Sequence, residues 1–475
     1  MTKTLLVGPF NRVEGDLEIR LEVADGRVTA AYANSPMFRG FERMMIGKGP
    51  EDALTITPRI CGICSISQSA AAALALADLA GAEMAPEGAR VAALLHGVEN
   101  LLDHLTHFYL FFMPDFARSG YAGRAWHERV QARFLAGQGS GTRAAVAARA
   151  ELFHVVGLLG GKWPHTLAIQ TGGVTRAPSV RDKARIGAWL AGFRRFLERE
   201  VFGAPLEAFD TLADVAGLER WSTGDAGLFL EAAQDTGLAG LGRGPGRYMS
   251  FGAYPVPEGR LFRRGMWQDG AVGPVDETAI VEDLSHAWML GEAAHPSAGE
   301  TRPDAAMRAD AYSWCKAPRL GGETVEVGAL ARQIVDGHPL AVALAGEGGV
   351  RARVAGRLLE IARTQIALEG LLAGIAPEKP FMTDVALPRD GSGVGLVEAA
   401  RGSLGHWLSV AGGRISSYQI VAPTTWNFSP RDGGGVPGPV EAALVGAEVL
   451  EGEDTPLAVQ HVVRSFDPCM VCTVH

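Results

Sequence analysis

Cysteine is scarce in this chain: 475 residues carry five. Five cannot staple so long a chain, and an odd number leaves one over in any pairing, so a disulfide scaffold is excluded. Charge is thin as well, with 20% Asp, Glu, Lys and Arg against about 25% in an average domain. There is no basic excess. Lys and Arg number 44 against 53 Asp and Glu, a net charge of -9, which argues against a protein that grips nucleic acid through its phosphates. Long apolar runs are missing too. The most apolar helical stretch, Ser69 to Leu79, is broken by Asp78 and is too short for a bilayer. Met1 to Pro9 lacks the sustained apolar run of a secretory leader. The expectation is a cytoplasmic protein with no transmembrane segment and no nucleic-acid partner.

What is present is apolar: 47% of residues are hydrophobic, enough for a very large core. Length alone points to about three domains. Leu17 to Val23 alternates apolar and charged residues, Asp25-Gly26 makes a tight turn, and Arg27 to Ala33 reads as the return strand. From Ser67 the period lengthens. Residues 67–83, 86–113, 141–159, 180–201 and 354–373 carry apolar residues three to four apart, as helices do. Residues 240–345 read as short strands and loops. Gly402 to Pro439, dense in Gly, Pro, Ser and Thr, reads as a long irregular segment.

Four of the five cysteines form two C-x-x-C pairs, Cys61/Cys64 and Cys469/Cys472, near opposite ends of the chain. Each pair can chelate an ion from a single turn. A structural zinc site would set its pairs about 12 to 20 residues apart, and a redox dithiol would follow a strand in a small βαβ unit. Neither pattern is met, which leaves a buried four-thiolate centre formed where the chain ends meet. Thiolates favour nickel, iron, zinc or copper(I) over magnesium or calcium.

The flanks of both pairs, Arg59-Ile-Cys-Gly-Ile-Cys64 and Ser465-Phe-Asp-Pro-Cys-Met-Val-Cys-Thr-Val-His475, resemble the cysteine motifs of nickel–iron hydrogenase large subunits. The resemblance runs along the chain through Arg12-Val-Glu-Gly15, Arg39-Gly-Phe-Glu42, His107-Phe-Tyr109 and Gly160-Gly-Lys-Trp-Pro-His165. It continues through Tyr312 to Arg319, Arg401 to Trp407 and Pro423 to Asp432.

The resemblance implies an α+β fold, predominantly helical: one large domain with a central helix bundle and small peripheral sheets, both chain ends meeting at a buried metal centre. Cys61 and Cys469 become terminal nickel ligands, while Cys64 and Cys472 bridge to an iron carrying two cyanides and one carbon monoxide. Dihydrogen would be split into hydride and proton, with Cys469 as the base and Glu14 as the next proton acceptor. Arg401 would lie over the metals, held by Asp103 and Asp467, with Pro423 and Thr424 near the cyanides. Outside the resemblance Asp103 reads as an ordinary helix-face charge. Glu42, His475 and the carbonyl of Ile420 would hold magnesium. His104 and His107 are packing residues, and Cys315 is a structural thiol. Iron–sulfur clusters would sit in a small subunit, since four of the five cysteines are already used, and maturation proteins would load the metals.

Several departures resemble the regulatory, hydrogen-sensing branch. Gln68 and Asp16 stand where most hydrogen-oxidising relatives have histidine, and a sequence running from Met1 to His475 is expected to be encoded without the cleavable tail of energy-conserving members. Separately, Ala400 precedes Arg401 where the family usually has proline. Ile63 and Phe111 match the bulky residues that narrow the gas channel of such sensors, and otherwise each is an apolar core residue. The resulting expectation is a hydrogen sensor of low turnover that signals to a histidine kinase. A respiratory uptake hydrogenase is the alternative, and a metal-free scaffold related to a respiratory complex I subunit the second.

Overall fold

The structure, a computed structural model, describes residues 3–475; Met1 and Thr2, the start of the stretch read as lacking a leader, lie outside it. Strands β1 (Lys3–Val7), β2 (Glu18–Ala24) and β3 (Arg27–Asn34) form an antiparallel sheet in that order. Asp25 and Gly26 both have positive φ, 51° and 71°, the turn geometry that matches the twist of a two-residue hairpin. Ile19, Leu21 and Val23 point inward as the alternation predicts.

Five long helices follow the apolar periodicity: α1 (Ser65–Ala80), α2 (Pro86–Thr106), α3 (Ser140–Gly160), α4 (Val180–Phe196) and α5 (Val350–Gly374). Helix α2 packs on α3 and α5, and α3 on α4, which makes the central bundle. Several ends differ from the periodic reading. Helix α1 stops at Ala80 because Gly81 takes the left-handed conformation (φ 60°) and its amide closes on Ala77 and Asp78. The apolar period beyond Thr106 and Phe196 continues in π-helical turns, His107–Phe112 and Leu197–Phe202.

The segment 402–439 is more regular than expected. Strands β4 (Gly391–Ala399), β5 (Gly402–Ala411) and β6 (Arg414–Val421) form a second antiparallel sheet, and Pro423–Asn427 is a helical turn. Nearly every residue of β5 is buried, because both faces of the strand are covered and the period-2 alternation vanishes. Two further helices, Ala329–Val335 and Pro339–Leu344, lie in the region read as strands and loops. Helix α6 (Leu457–Ser465) leads into the second cysteine pair. One hydrophobic cluster runs from Leu5 to Cys472, so the three-domain estimate from length gives way to one domain. Among the described residues no helix is long and apolar enough to cross a membrane.

Two features carry the site. First, α1 lies unusually close on β4: its face is Ala70, Ala71 and Ala75, and β4 answers with Gly393 and Gly395. A Cβ on Gly395 would stand 1.9 Å from the Ala71 carbonyl oxygen. Second, the interior of α2 is polar, and its buried carboxyls and histidines are hydrogen-bonded to neighbouring segments.

Gly395→Ala should lower unfolding free energy by about 3 kcal/mol, measured by denaturant titration. Acid should unfold the chain steeply. Burial pushes His96, His107 and His406 down to about 3 and His461 to about 4, so the unfolded chain takes up these protons first, below about pH 6.5. Their stabilisation is complete above that pH and is lost as pH falls, by up to about 1.4 kcal/mol per pH unit for each histidine. Asp103, Glu99 and Glu441, pushed up by burial to about 7, 8 and 7, oppose this above their ordinary pKa. The net loss in unfolding free energy, followed against pH, should therefore be steepest below about pH 4.5.

Candidate metal centre

The loop before α1 and the turn after α6 meet in the core. Cys61 Sγ lies 3.4 Å from Cys469 Sγ, Cys64 Sγ 3.2 Å from Cys472 Sγ, and Cys469 Sγ 3.1 Å from Cys472 Sγ. All four sulfurs fall within 4.8 Å of one another, and all four residues are buried. Hydrogen bonds from Cys469, Cys472 and Cys64 hold the Cys61 thiol well below its ordinary range, whereas bonds with Cys469, Cys472 and Cys61 push Cys64 up, and those with Cys469 and Cys61 push Cys472 up. Four thiolates at this spacing repel one another without a cation among them. The donor set therefore fits a soft transition metal.

The second cysteine turn is gripped from several sides. Arg401 donates from Nε to the Asp467 carbonyl (2.8 Å) and from its terminal nitrogens to Asp103 (2.7 and 3.1 Å) and Asp467 Oδ1 (3.2 Å). These charge-assisted bonds fix the guanidinium. Burial, with the charge of Asp467 adding, pushes Asp103 up to about 7 against Arg401, while the same arginine overcomes burial and holds Asp467 low. Asp103 is thus no surface charge. Asp467 sits at φ 57°, a conformation that non-glycine residues adopt at a cost, directly before Pro468 and Cys469. The Cys469 amide donates to Thr424 Oγ1 at 3.0 Å; Pro423 opens the same helical turn and has no N–H to give.

The Glu14 backbone pairs with this turn: the Met470 amide donates to the Glu14 carbonyl at 2.7 Å, and the Glu14 amide to Pro468 at 3.4 Å. Gly15 (φ 83°) permits the approach, since a Cβ there would meet the Val471 amide nitrogen at 3.0 Å. The Glu14 side chain is half-buried; burial and then the Cys61 charge raise its pKa. Arg39, given no role by the sequence, joins the two motifs by donating to the carbonyls of Ile60 (2.6 Å), Val471 (3.1 Å) and Arg59 (3.3 Å).

A second polar cluster lies beside the C-terminus. Glu42 Oε1 accepts from the Ile420 amide (2.7 Å) and His475 Nε2 (3.1 Å), and Oε2 from Thr301 and, at 3.5 Å, Lys316 Nζ. Ile420 thus meets Glu42 through its amide. Burial raises Glu42, but Lys316 and His475 outweigh it and bring the carboxyl down to about 2. A cavity of about 10 Å³ adjoins Glu42, Glu282, Thr301, Lys316 and His475, room for about one water-sized sphere. The carboxylates suit an oxygen-seeking cation such as magnesium, although Lys316, which the sequence reading passed over, already supplies positive charge between Glu42 and Glu282.

The remaining sequence candidates sort by burial. Ile63 packs against the core beside Cys64, and Phe111 is partly buried outside that cluster. Cys315 is buried, its thiol donating to the Lys316 carbonyl (3.1 Å). His104 donates to Glu360 (2.9 Å) and His107 to the Arg464 carbonyl (2.6 Å), both in packing roles.

Arg39→Ala should lower unfolding free energy by about 2 kcal/mol, the scale of hydrogen bonds from a charged donor. Arg39→Lys should recover only part of it, since a point charge cannot reach three carbonyls at once; thermal unfolding of both variants measures the difference.

Over its whole length the chain is similar to solved hydrogenases. It matches the Ni-Fe-Se hydrogenase from D. vulgaris Hildenborough in the reduced state with a TM-score of 0.86 and 28% identity, each chain covered completely. Among curated proteins it is 30% identical to the periplasmic [NiFeSe] hydrogenase large subunit of Desulfomicrobium baculatum, over 99% of this chain and 94% of that one. It is 27% identical to the quinone-reactive Ni/Fe-hydrogenase large chain of Wolinella succinogenes, over 100% and 96%. The nickel-dependent hydrogenase family matches residues 39–125, 144–345 and 348–475. The family model and the relatives together show that the chain belongs to the nickel-dependent hydrogenase large subunits.

Proposed function

We propose that this chain is the dihydrogen-activating subunit of an uptake hydrogenase, holding nickel on Cys61, Cys64, Cys469 and Cys472 and iron on Cys64 and Cys472. The observation that carries the reading is the buried four-sulfur cluster drawn from both ends of the chain. When bound, the nickel–iron group with its two cyanides and carbon monoxide supplies a soft, open position at which dihydrogen is polarised. Cys469 Sγ receives the proton, and the Glu14 carboxylate takes it on; its half-buried carboxyl with a raised pKa supports this role. Arg401 holds a fixed positive charge over the site, with Asp103 and Asp467 preventing its rotation. Pro423 and Thr424 shape the wall where the iron's diatomic ligands would lie. Glu42 and His475, with Ile420, would hold magnesium and pin the C-terminus.

The uptake reading draws on the relatives, one named quinone-reactive and one periplasmic. Electrons leave to iron–sulfur clusters in a small subunit, because Cys315 is buried away from the other four cysteines. Maturation proteins would load the metals. A second reading, a sensor that signals to a cytoplasmic histidine kinase, is favoured by Gln68. Its amide oxygen lies 2.8 Å from His406 Nε2, so a neutral amide fills a place where the resemblance puts a second imidazole. Ile63 beside Cys64 and Phe111 would then narrow gas entry.

Infrared spectra of the purified dimer under hydrogen should show cyanide and carbonyl bands, and their absence would end the nickel–iron reading. Loss of the bands' reduced-state pattern under oxygen, with turnover of about 10 s⁻¹ or more, fits uptake; indifference to oxygen with turnover far below that fits sensing. Glu14→Gln should abolish hydrogen–deuterium exchange while leaving nickel and iron bound, and undiminished exchange would remove Glu14 from the proton path.

A further inference from the structure

Helix α2 carries His96, Glu99, Asn100, Asp103 and His104, and His107 opens the π-helical turn that continues it, all buried. Spacings of three and four put them on one face. Asp103 holds Arg401. Glu99, one turn earlier, has no part in the mechanism above. Its carboxylate accepts from the amides of Ile66 and Ser67, both at 2.9 Å, from Ser67 Oγ at 3.1 Å, Ser65 Oγ at 3.4 Å and Trp163 Nε1 at 3.2 Å. The two amides belong to the first turn of α1, where helix donors have no partner inside the helix. The residue in the capping position is Cys64, and its side chain makes no capping bond. A carboxylate from the neighbouring helix therefore does the work that a Ser or Asp cap would do, and its charge also suits a helix N-terminus.

We propose that Glu99 is a positioning residue for hydrogen activation: it clamps the first turn of α1 and thereby sets the direction of the Cys64 sulfur. The proposal rests on the nickel–iron reading of the cysteines. Cys64 cannot be capped by its own side chain if that sulfur is to bind metal, so the turn behind it needs an acceptor from elsewhere. Because Glu99 and Asp103 lie one turn apart on one buried helix, the first cysteine motif and the Arg401 clamp on the second are tied to the same rigid body. Two neighbours of Glu99 are backbone amides and one is an indole, all fixed as donors. A glutamine there would turn an NH2 group toward donors, whereas both carboxylate oxygens accept. Burial pushes the Glu99 carboxyl up to about 8, while the bonds from Ile66, Ser67 and Trp163 pull it back toward the charged form.

Glu99→Gln in the intact heterodimer is the test. Nickel and iron should stay bound, the carbonyl and cyanide bands should shift, and hydrogen exchange of the Ile66 and Ser67 amides should rise about tenfold or more. The value of kcat should fall about tenfold at unchanged KM. Glu441→Gln is the control for simple loss of a buried carboxyl: Glu441 accepts from the Ala33 amide (2.9 Å) and Tyr312 (2.8 Å), and its variant should lose stability while the bands stay in place. Bands and amide exchange unchanged in Glu99→Gln, or changes no different from those of Glu441→Gln, overturn the proposal. Should Glu99→Gln fail to assemble, Glu99→Asp, which withdraws the carboxylate by one methylene, is read the same way. Absent bands in the unmodified dimer would instead overturn the nickel–iron reading, while raised exchange at Ile66 and Ser67 would still report the clamp.

Discussion

Four thiols brought within 4.8 Å of one another from both ends of a long chain are the constraint to which the rest of the structure answers. Ionised sulfurs at that distance repel, and burial removes the water that would screen them. The surrounding chain therefore has to hold each cysteine turn from outside. Arg401 grips the Asp467 turn, Arg39 bridges the carbonyls of both motifs, and the Glu14 backbone pairs with Cys469. None of these contacts is local in sequence. The cost of closing so large a loop is met only because the whole core closes with it.

The buried charges form one connected system. Arg332 binds Glu360 and Glu398 with all three side chains inaccessible to solvent. Glu360 accepts from His104, and Arg357 reaches both His104 and Asp467. Because a guanidinium can only donate, the His104 nitrogen facing Arg357 is the acceptor and its other nitrogen carries the hydrogen. Removing one member of such a pair leaves an uncompensated buried charge, which typically costs about 3–5 kcal/mol. The network thus makes the arrangement around the metal centre stiff, and stiffness is what a site that must hold ligands in a fixed geometry requires.

Much of this was legible beforehand, and the failures have physical causes. The Asp25-Gly26 hairpin and the five long helices followed from turn chemistry and period. Strand β5 did not, because a strand buried on both faces loses its alternation, and the second half of β6 is buried in the same way. By period alone Asp103 reads as a helix-face charge, because polar residues three and four apart on a helix usually face water; the motif resemblance gave it to Arg401, and on α2 that spacing does face inward, onto Arg401, Glu360 and the first turn of α1. Arg39 and Glu99 bind backbone carbonyls and amides, groups that every residue carries, so no side-chain pattern announced them.

By itself the sequence determined the metal chemistry: two C-x-x-C pairs with their flanking motifs specify thiolate donors whatever the fold around them, because ligand type is a property of the side chain. It also determined the helices and the first hairpin, whose signals lie within a few residues of one another. Only the tertiary structure decided how Arg39 and Arg401 grip the cysteine turns from outside, that the polar face of α2 points inward, and that Ile420 approaches Glu42 by its amide. Those outcomes depend on contacts between segments hundreds of residues apart, and no local period carries that information.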